Sequence, residues 1–253
     1  MKQEKMQKFR AFIAILLLLL VWTSGRAQQY TATEGLLHVP SADMDKKFTA
    51  RVGIHYMPKS LVPDMMTVDG EKFNTFSYYI SLTPLDWIQV SFVEVSWKFH
   101  QDLIPSNPIK FYSKDRHLSM KLRPIKEGRY WPSVAVGADD FWGRKDNGYS
   151  ESNYFRNYYL ALTKHFDIGG NSLGTHLTFR KWEWDFNHRY EGVVGGLTFQ
   201  PRFYKPLRMI AEWDGCEMNI GADCRLFNLV QLQMFLQDCR YFSGGVCLAI
   251  KLM

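Results

Sequence analysis

Val230-Gln231-Leu232-Gln233-Met234-Phe235-Leu236-Gln237 sets an apolar residue at every even position and a glutamine at three of the four odd ones. Only an extended strand turns successive side chains to opposite faces, so this octet reads as a strand with one apolar and one polar face. The same two-residue period runs through His117-Leu118-Ser119-Met120-Lys121-Leu122-Arg123. It returns near the end of the chain, where Val246, Leu248, Ile250 and Leu252 alternate with Cys247, Ala249 and Lys251. Working outward from these segments predicts about twelve strands, near 48–57, 73–83, 86–98, 115–123, 132–140, 154–164, 172–182, 191–200, 206–214, 216–225, 228–238 and 243–253. Helical periodicity is nearly absent. The third strand changes phase at Phe92-Val93, which predicts a bulge there. An even number of strands of about ten residues suits an all-β fold, an antiparallel up-and-down transmembrane β-barrel with lipid outside and a polar lumen inside.

A soluble sandwich or lipocalin-like barrel would alternate as well. Three further features favour the membrane barrel. The first is an export signal over residues 1–27. Lys2, Lys5, Lys8 and Arg10 precede an apolar run from Ala11 to Trp22, and Gly25-Arg26-Ala27 offers small residues for cleavage before Gln28. The second is the alternation of long and short links. Thr83-Pro84-Leu85-Asp86, Pro124 to Trp131, His165 to Asn171, Pro201 to Lys205 and Cys224 to Asn228 are short, while 58–72, 99–114, 140–153 and 183–190 are longer. That asymmetry is expected of periplasmic turns and outer loops, and it puts both termini at the periplasmic end. The third is the set of aromatics near strand ends: Trp87, Trp97, Trp131, Trp142, Tyr154, Tyr158, Trp182, Tyr204, Trp213 and Tyr241. Interfacial girdles look like this, although aromatics also favour strands anywhere. The expected organisation is a signal peptide over 1–27, an N-terminal periplasmic segment over 28–47, and the barrel over 48–253. The expected location is the outer membrane of a Gram-negative bacterium after cleavage near Ala27.

The formal charge of the whole chain is +6, but residues 1–27 carry five Lys/Arg against one Glu, so the remainder stands at +2. No basic run suggests nucleic acid. Cys216, Cys224, Cys239 and Cys247 could form disulfides in an oxidising compartment, or stay as half-buried thiols.

Thr33-Glu34-Gly35-Leu36-Leu37-His38-Val39-Pro40-Ser41-Ala42 resembles the opening motif of the YjbH-like family, with Gly35, Leu36, Leu37, Pro40, Ser41 and Ala42 as its motif positions. The segments Phe48 to Gly53, Gly192 to Leu197, Lys205-Pro206-Leu207-Arg208 and Ala211-Glu212-Trp213-Asp214 are similar to that family's strands. The chain looks closest to the family's short versions. The resemblance implies an outer-membrane β-barrel linked to exopolysaccharide or capsule production. Its implied partners are outer-membrane lipid, polysaccharide, and periplasmic or outer-membrane export proteins. It brings no active-site residues and no cofactor.

On the polar faces, Arg51, His117, Lys121, Arg123, His176, Arg180, Arg208, Glu212, Asp223 and Arg225 form a candidate lumen network. His55, Lys251, Glu94, Asp139 and Asp214 are expected to share that lumen. The basic excess in this set could favour an anionic polymer. Alternatively, the charges pair and simply fill a barrel too narrow for an open channel. His117 and Ser119 share a strand face and would be the pair to test for lipid hydrolysis, but no orienting group follows at an evident position. Asp139-Asp140 and Glu183/Asp185 read as a solvated loop rim rather than as paired catalytic carboxylates. Pro105, Pro108, Tyr112, Trp142, Arg144 and Tyr149, in the outer loops, could bind sugars or shield the barrel mouth. No phosphate-binding glycine loop and no metal-spaced His/Cys cluster is present in the sequence.

Overall fold

The computed structural model describes residues 28–143, 154–183 and 191–252. The expected signal segment, Arg144, Tyr149, Asp185 and Met253 lie outside them. Among the described residues twelve strands are found: β1 (Thr49–Met57), β2 (Thr75–Leu85), β3 (Ile88–His100), β4 (Ile109–Ile125), β5 (Ser133–Gly143), β6 (Asn157–Ile168), β7 (Asn171–Trp182), β8 (Gly192–Gln200), β9 (Leu207–Trp213), β10 (Met218–Leu226), β11 (Val230–Gln237) and β12 (Tyr241–Lys251). Each is antiparallel to its neighbours in sequence, and β1 pairs with β12 from Thr49↔Lys251 to Tyr56↔Gly244. The sheet is therefore a closed barrel with no free edge, which is how a β-structure satisfies its backbone in lipid.

Alternation sorts the side chains. Outward positions hold Val52, Ile80, Leu82, Phe92, Leu160, Leu177, Leu197, Met209, Ile220, Met234 and Leu248, all exposed. An apolar belt of that extent, carried by strand after strand around the ring, is a lipid-facing surface rather than a soluble one. Inward positions hold Arg51, Ser77, Gln89, Ser91, Lys121, Thr163, Thr178, Glu212, Asp223, Gln231 and Gln233, all buried.

β3 corrects one expectation. Its pairing with β2 is continuous from Phe76↔Ser96 to Leu82↔Val90, so no bulge lies at Phe92-Val93. The strand keeps its alternation while the chemistry of its two faces exchanges. Below the exchange, Gln89 and Ser91 point in and Val90 and Phe92 point out. Above it, Val93, Val95 and Trp97 point in, while Glu94, Ser96 and Lys98 point out. Glu94 is therefore an outer-face residue, paired with Lys114 at 3.0 Å and Arg116 at 2.8 Å, and not a lumen group. β4 also starts earlier than expected, at Ile109, and among the described residues it meets β5 from His117 onward. The β3–β4 hairpin projects beyond β2, whose pairing with β3 stops at Ser96, and carries exposed Leu103, Ile104, Phe111 and Tyr112. Pro84 lies within β2 rather than in a turn; the turn that follows is Asp86-Trp87.

Trp87 and Trp131 are exposed at the short-turn end, and Trp142, Tyr158, Trp213 and Tyr241 are exposed towards the loop end. Trp97 and Trp182 are not girdle residues. They are buried inside the barrel, in a cluster with Tyr30, Met57, Leu61, Val62 and Phe155, against which Tyr154 packs. All four cysteines are free thiols.

Candidate functional site

The lumen is occupied by the chain's own N-terminal segment. Every residue from Gln28 to Asp45 is buried. The expectation of a periplasmic segment over 28–47 is therefore corrected: apart from Lys46 and Lys47, which are exposed, this stretch runs inside the barrel. The physical reason lies in its backbone. An irregular segment can enter a barrel only if its peptide groups find partners on the wall, and the inward strand positions supply them. Ser77 Oγ donates to the Tyr30 carbonyl and Ser91 Oγ to that of Ala32, both at 2.9 Å. Glu34 N–H donates to Gln89 Oε1 at 3.1 Å, and Gln233 Nε2 donates to the Gln28 carbonyl at 3.1 Å. Further along, Thr178 Oγ1 donates to the Pro40 carbonyl at 2.6 Å. Ala42 N–H donates to Thr163 Oγ1 at 2.9 Å, and Ser133 Oγ donates to the Ala42 carbonyl at 3.2 Å.

The tightest grip falls on the turn from Gly35 to Pro40, which closes on itself through a Leu36 N–H to Val39 carbonyl bond of 2.9 Å. The turn aims three successive amides at one carboxylate. Leu37 N–H reaches Glu212 Oε2 at 3.0 Å, His38 N–H reaches Oε1 at 3.0 Å, and Val39 N–H reaches Oε2 at 3.3 Å. Consecutive N–H groups of this kind make an anion-binding concavity. Here the anion is a side chain of the barrel wall. Asn219 Nδ2 supports it from β10, donating to Glu212 Oε1 at 3.0 Å and to Asp214 Oδ2 at 2.9 Å. Leu36, Leu37 and Val39 pack with Val194, Ile210 and Phe235.

Gly196 makes room for this turn. A Cβ placed there would collide with Leu36 Cδ1 and lie 2.8 Å from the Ala211 carbonyl oxygen. Gly196→Val is expected to destabilise the folded barrel by about 1–3 kcal/mol through overpacking, read as a lower midpoint in heat-modifiable gel migration. Gly35 is confined in the same way, with Gln29 Cγ and the Val39 carbonyl oxygen both under 3 Å from a Cβ built there.

Cations hold the rest of the segment. Lys121 Nζ donates to the carbonyls of Glu34, Ser41 and Asp43 at 2.8, 3.3 and 2.6 Å. Arg180 Nη1 donates to the His38 carbonyl at 2.5 Å. Arg51 forms a fork with Asp45, through Nε at 2.5 Å and Nη2 at 2.8 Å, and also reaches Glu34 Oε1 at 3.3 Å and Gln231 Oε1 at 2.6 Å. Arg208 Nε pairs with Asp223 at 2.8 Å. His176 is held by Thr163 and Thr198, each at 3.1 Å. Eight of the ten expected network residues are thus buried in the lumen. Arg123 and Arg225 are half-buried near the short turns, where they donate to the backbone carbonyls of Asp86 and Asn228 at 2.5 and 3.0 Å. Of the basic groups read from the sequence, Lys121 and Arg180 donate to backbone carbonyls of the inserted segment, Arg51 pairs with its carboxylates, and Arg208 pairs with Asp223 on the wall.

A model of the family described as exopolysaccharide biosynthesis protein YbjH matches residues 27–250. The chain belongs to this YjbH family. Several segments that carry the family likeness in sequence touch one another in the lumen of this YjbH-family barrel. The turn of Gly35 to Pro40 grips Glu212, Gly196 admits Leu36, and Arg51 anchors Asp45. No curated relative matches the chain significantly. Among solved structures, outer membrane phospholipase A from Escherichia coli is similar at 11% identity, covering 83% of this chain and 99% of that one, with a TM-score of 0.38. The Salmonella typhi outer membrane phospholipase is similar at 10% identity over 80% of this chain and 89% of that one, with a TM-score of 0.37. The barrel assignment rests on this chain's own ring of strand pairings, not on these two.

His117 and Ser119 are both buried and face the lumen, away from lipid. His117 Nδ1 bonds Asp115 Oδ2 at 2.9 Å, and Ser119 Oγ accepts from Asp140 N–H at 3.4 Å; among the described residues no bond joins His117 to Ser119. Asp139 and Asp140 are not a solvated rim. β5 carries a register shift against β4 between Leu118 and Met120, Asp140 takes a positive φ of 52°, and both carboxylates turn inward, buried. Glu183 does lie at a half-open edge, paired with Arg156 at 3.3 Å.

Proposed function

We propose that this protein works in the outer membrane of a Gram-negative bacterium, after export and cleavage near Ala27, as a sealed, non-enzymatic barrel. In this reading it assists exopolysaccharide or capsule export or surface assembly, with partner proteins carrying the polymer itself. The observation that carries this reading is the filled lumen. Residues 28–45 are buried inside the ring of strands and bond many of the wall's donors and acceptors, so the space a polymer would need is occupied by the chain itself. Family membership supplies the exopolysaccharide process. The projecting β3–β4 hairpin, with Phe111 and Tyr112 beside Lys110 and Lys114, is the surface this reading offers to a sugar or a partner.

Deleting the gene should sharply reduce surface polysaccharide, and the wild-type gene supplied in trans should restore it. Polysaccharide unchanged by the deletion would leave a structural or small-solute barrel instead. Lipid turnover lost in a Ser119→Ala strain would point to a lipid-modifying hydrolase.

A further inference from the structure

One cluster in the lumen has no part in holding the inserted segment. A nitrogen of His117 and one oxygen each of Asp115 and Asp140 lie within 4.8 Å of one another, and all three residues are buried. Such a group would ordinarily satisfy itself, because an unpaired polar atom away from water costs free energy. This one does not. His117 Nε2, Asp115 Oδ1 and Asp140 Oδ1 each have no hydrogen-bond partner among the described residues, and neither does Asp139 Oδ1 beside them. The second such cluster, Asp43, His165 and His176, behaves differently: both ring nitrogens of His176 are taken by threonine hydroxyls, and His165 Nδ1 bonds Glu127 at 2.8 Å.

We propose that Asp115, His117 and Asp140 form a binding site for a divalent first-row transition-metal ion. His117 Nδ1 and Asp115 Oδ2 stand 2.9 Å apart, the separation of two neighbouring ligands on one ion, and an ion seated between them would displace the bridging proton. One imidazole nitrogen with two carboxylate oxygens is a mixed set that suits zinc, manganese or iron better than a thiolate-seeking ion. Two carboxylates around a divalent cation also neutralise charge that the lumen otherwise leaves buried. The backbone is distorted to allow this: at positive φ, Asp140 joins Asp139 on the inner face, where a regular strand would send one of the two to lipid. The Phe155 ring, 5.5 Å from His117, closes one side. The ion would fasten β4 to β5 at the point where their pairing is interrupted.

The test uses zinc on the full-length barrel, extracted in mild detergent, stripped with chelator and reloaded. Elemental analysis should find about one tightly held zinc per folded chain, with the unfolding midpoint raised on reloading. His117→Ala and Asp140→Asn should each lose at least tenfold in zinc affinity, while His165→Ala, in the other cluster, should bind as the wild type does. Asp140→Asn preserves shape and serves as the test if His117→Ala fails to fold. Wild-type barrel that takes up no zinc, manganese or iron above the Asp140→Asn level would overturn the site. So would loss of binding in His165→Ala alone.

Discussion

Glu212→Ala is expected to weaken the folded barrel by about 3–5 kcal/mol through loss of the grip between lumen and wall. The carboxylate accepts from Leu37, His38 and Val39 and from Asn219 Nδ2, at a site that is 1% exposed. Truncation strands these buried donors at about 1–3 kcal/mol each where water does not replace the lost acceptor. The expected total is below the simple sum because the emptied side-chain volume admits some water. Glu212→Gln keeps one acceptor oxygen in the nest and should cost about 1–2 kcal/mol, the difference between a charged and a neutral acceptor. Urea midpoints from heat-modifiable migration check both variants. A Glu212→Ala barrel as stable as wild type would mean that the turn is not held by this carboxylate.

Arg51→Ala should be comparably damaging, through charge rather than through lost acceptors. The guanidinium is 1% exposed and holds Asp45 through two bonds and Glu34 through one. Breaking a buried ion pair by removing one partner costs about 3–5 kcal/mol, because the other charge remains buried and uncompensated. Arg51→Lys should recover only part of this, since an ammonium cannot span the two oxygens of Asp45 as the planar fork does. Removing Asp45 together with Arg51 should be milder than removing Arg51 alone. If the double variant proves the weaker protein, the Arg51–Asp45 pairing does not carry the effect.

Both predictions concern a feature that the sequence did not display. The barrel wall was legible because lipid on one side and polar groups on the other write a two-residue period into every strand, as in Val230 to Gln237. The eight buried members of the lumen network were legible for the same reason. The inserted segment was not. Thr33 to Ala42 has no periodicity, and most of its wall contacts use its backbone, to which side-chain identity gives little clue. What could have signalled it is the run of hydrogen-bonding residues with no charge of their own, such as Ser77, Ser91, Thr163 and Thr178, on strand faces otherwise expected to meet water. In the sequence of β3, a swap of apolar and polar faces looks like a slipped register. It marks instead the level where the inner wall meets the Tyr30 and Trp97 cluster while the outer wall turns polar. Asp139-Asp140 escaped recognition as lumen groups because a regular strand sends neighbours to opposite faces, and only the irregularity at Asp140 brings both inside.

The grip between lumen and wall exists only if residues 28–45 lie inside the barrel. Hydrogen exchange of the folded protein in detergent tests that directly. The amides of Leu37, His38 and Val39, bonded to Glu212, should exchange as slowly as those of the central strands. Exchange of these three amides as fast as that of an unstructured tail would contradict the account.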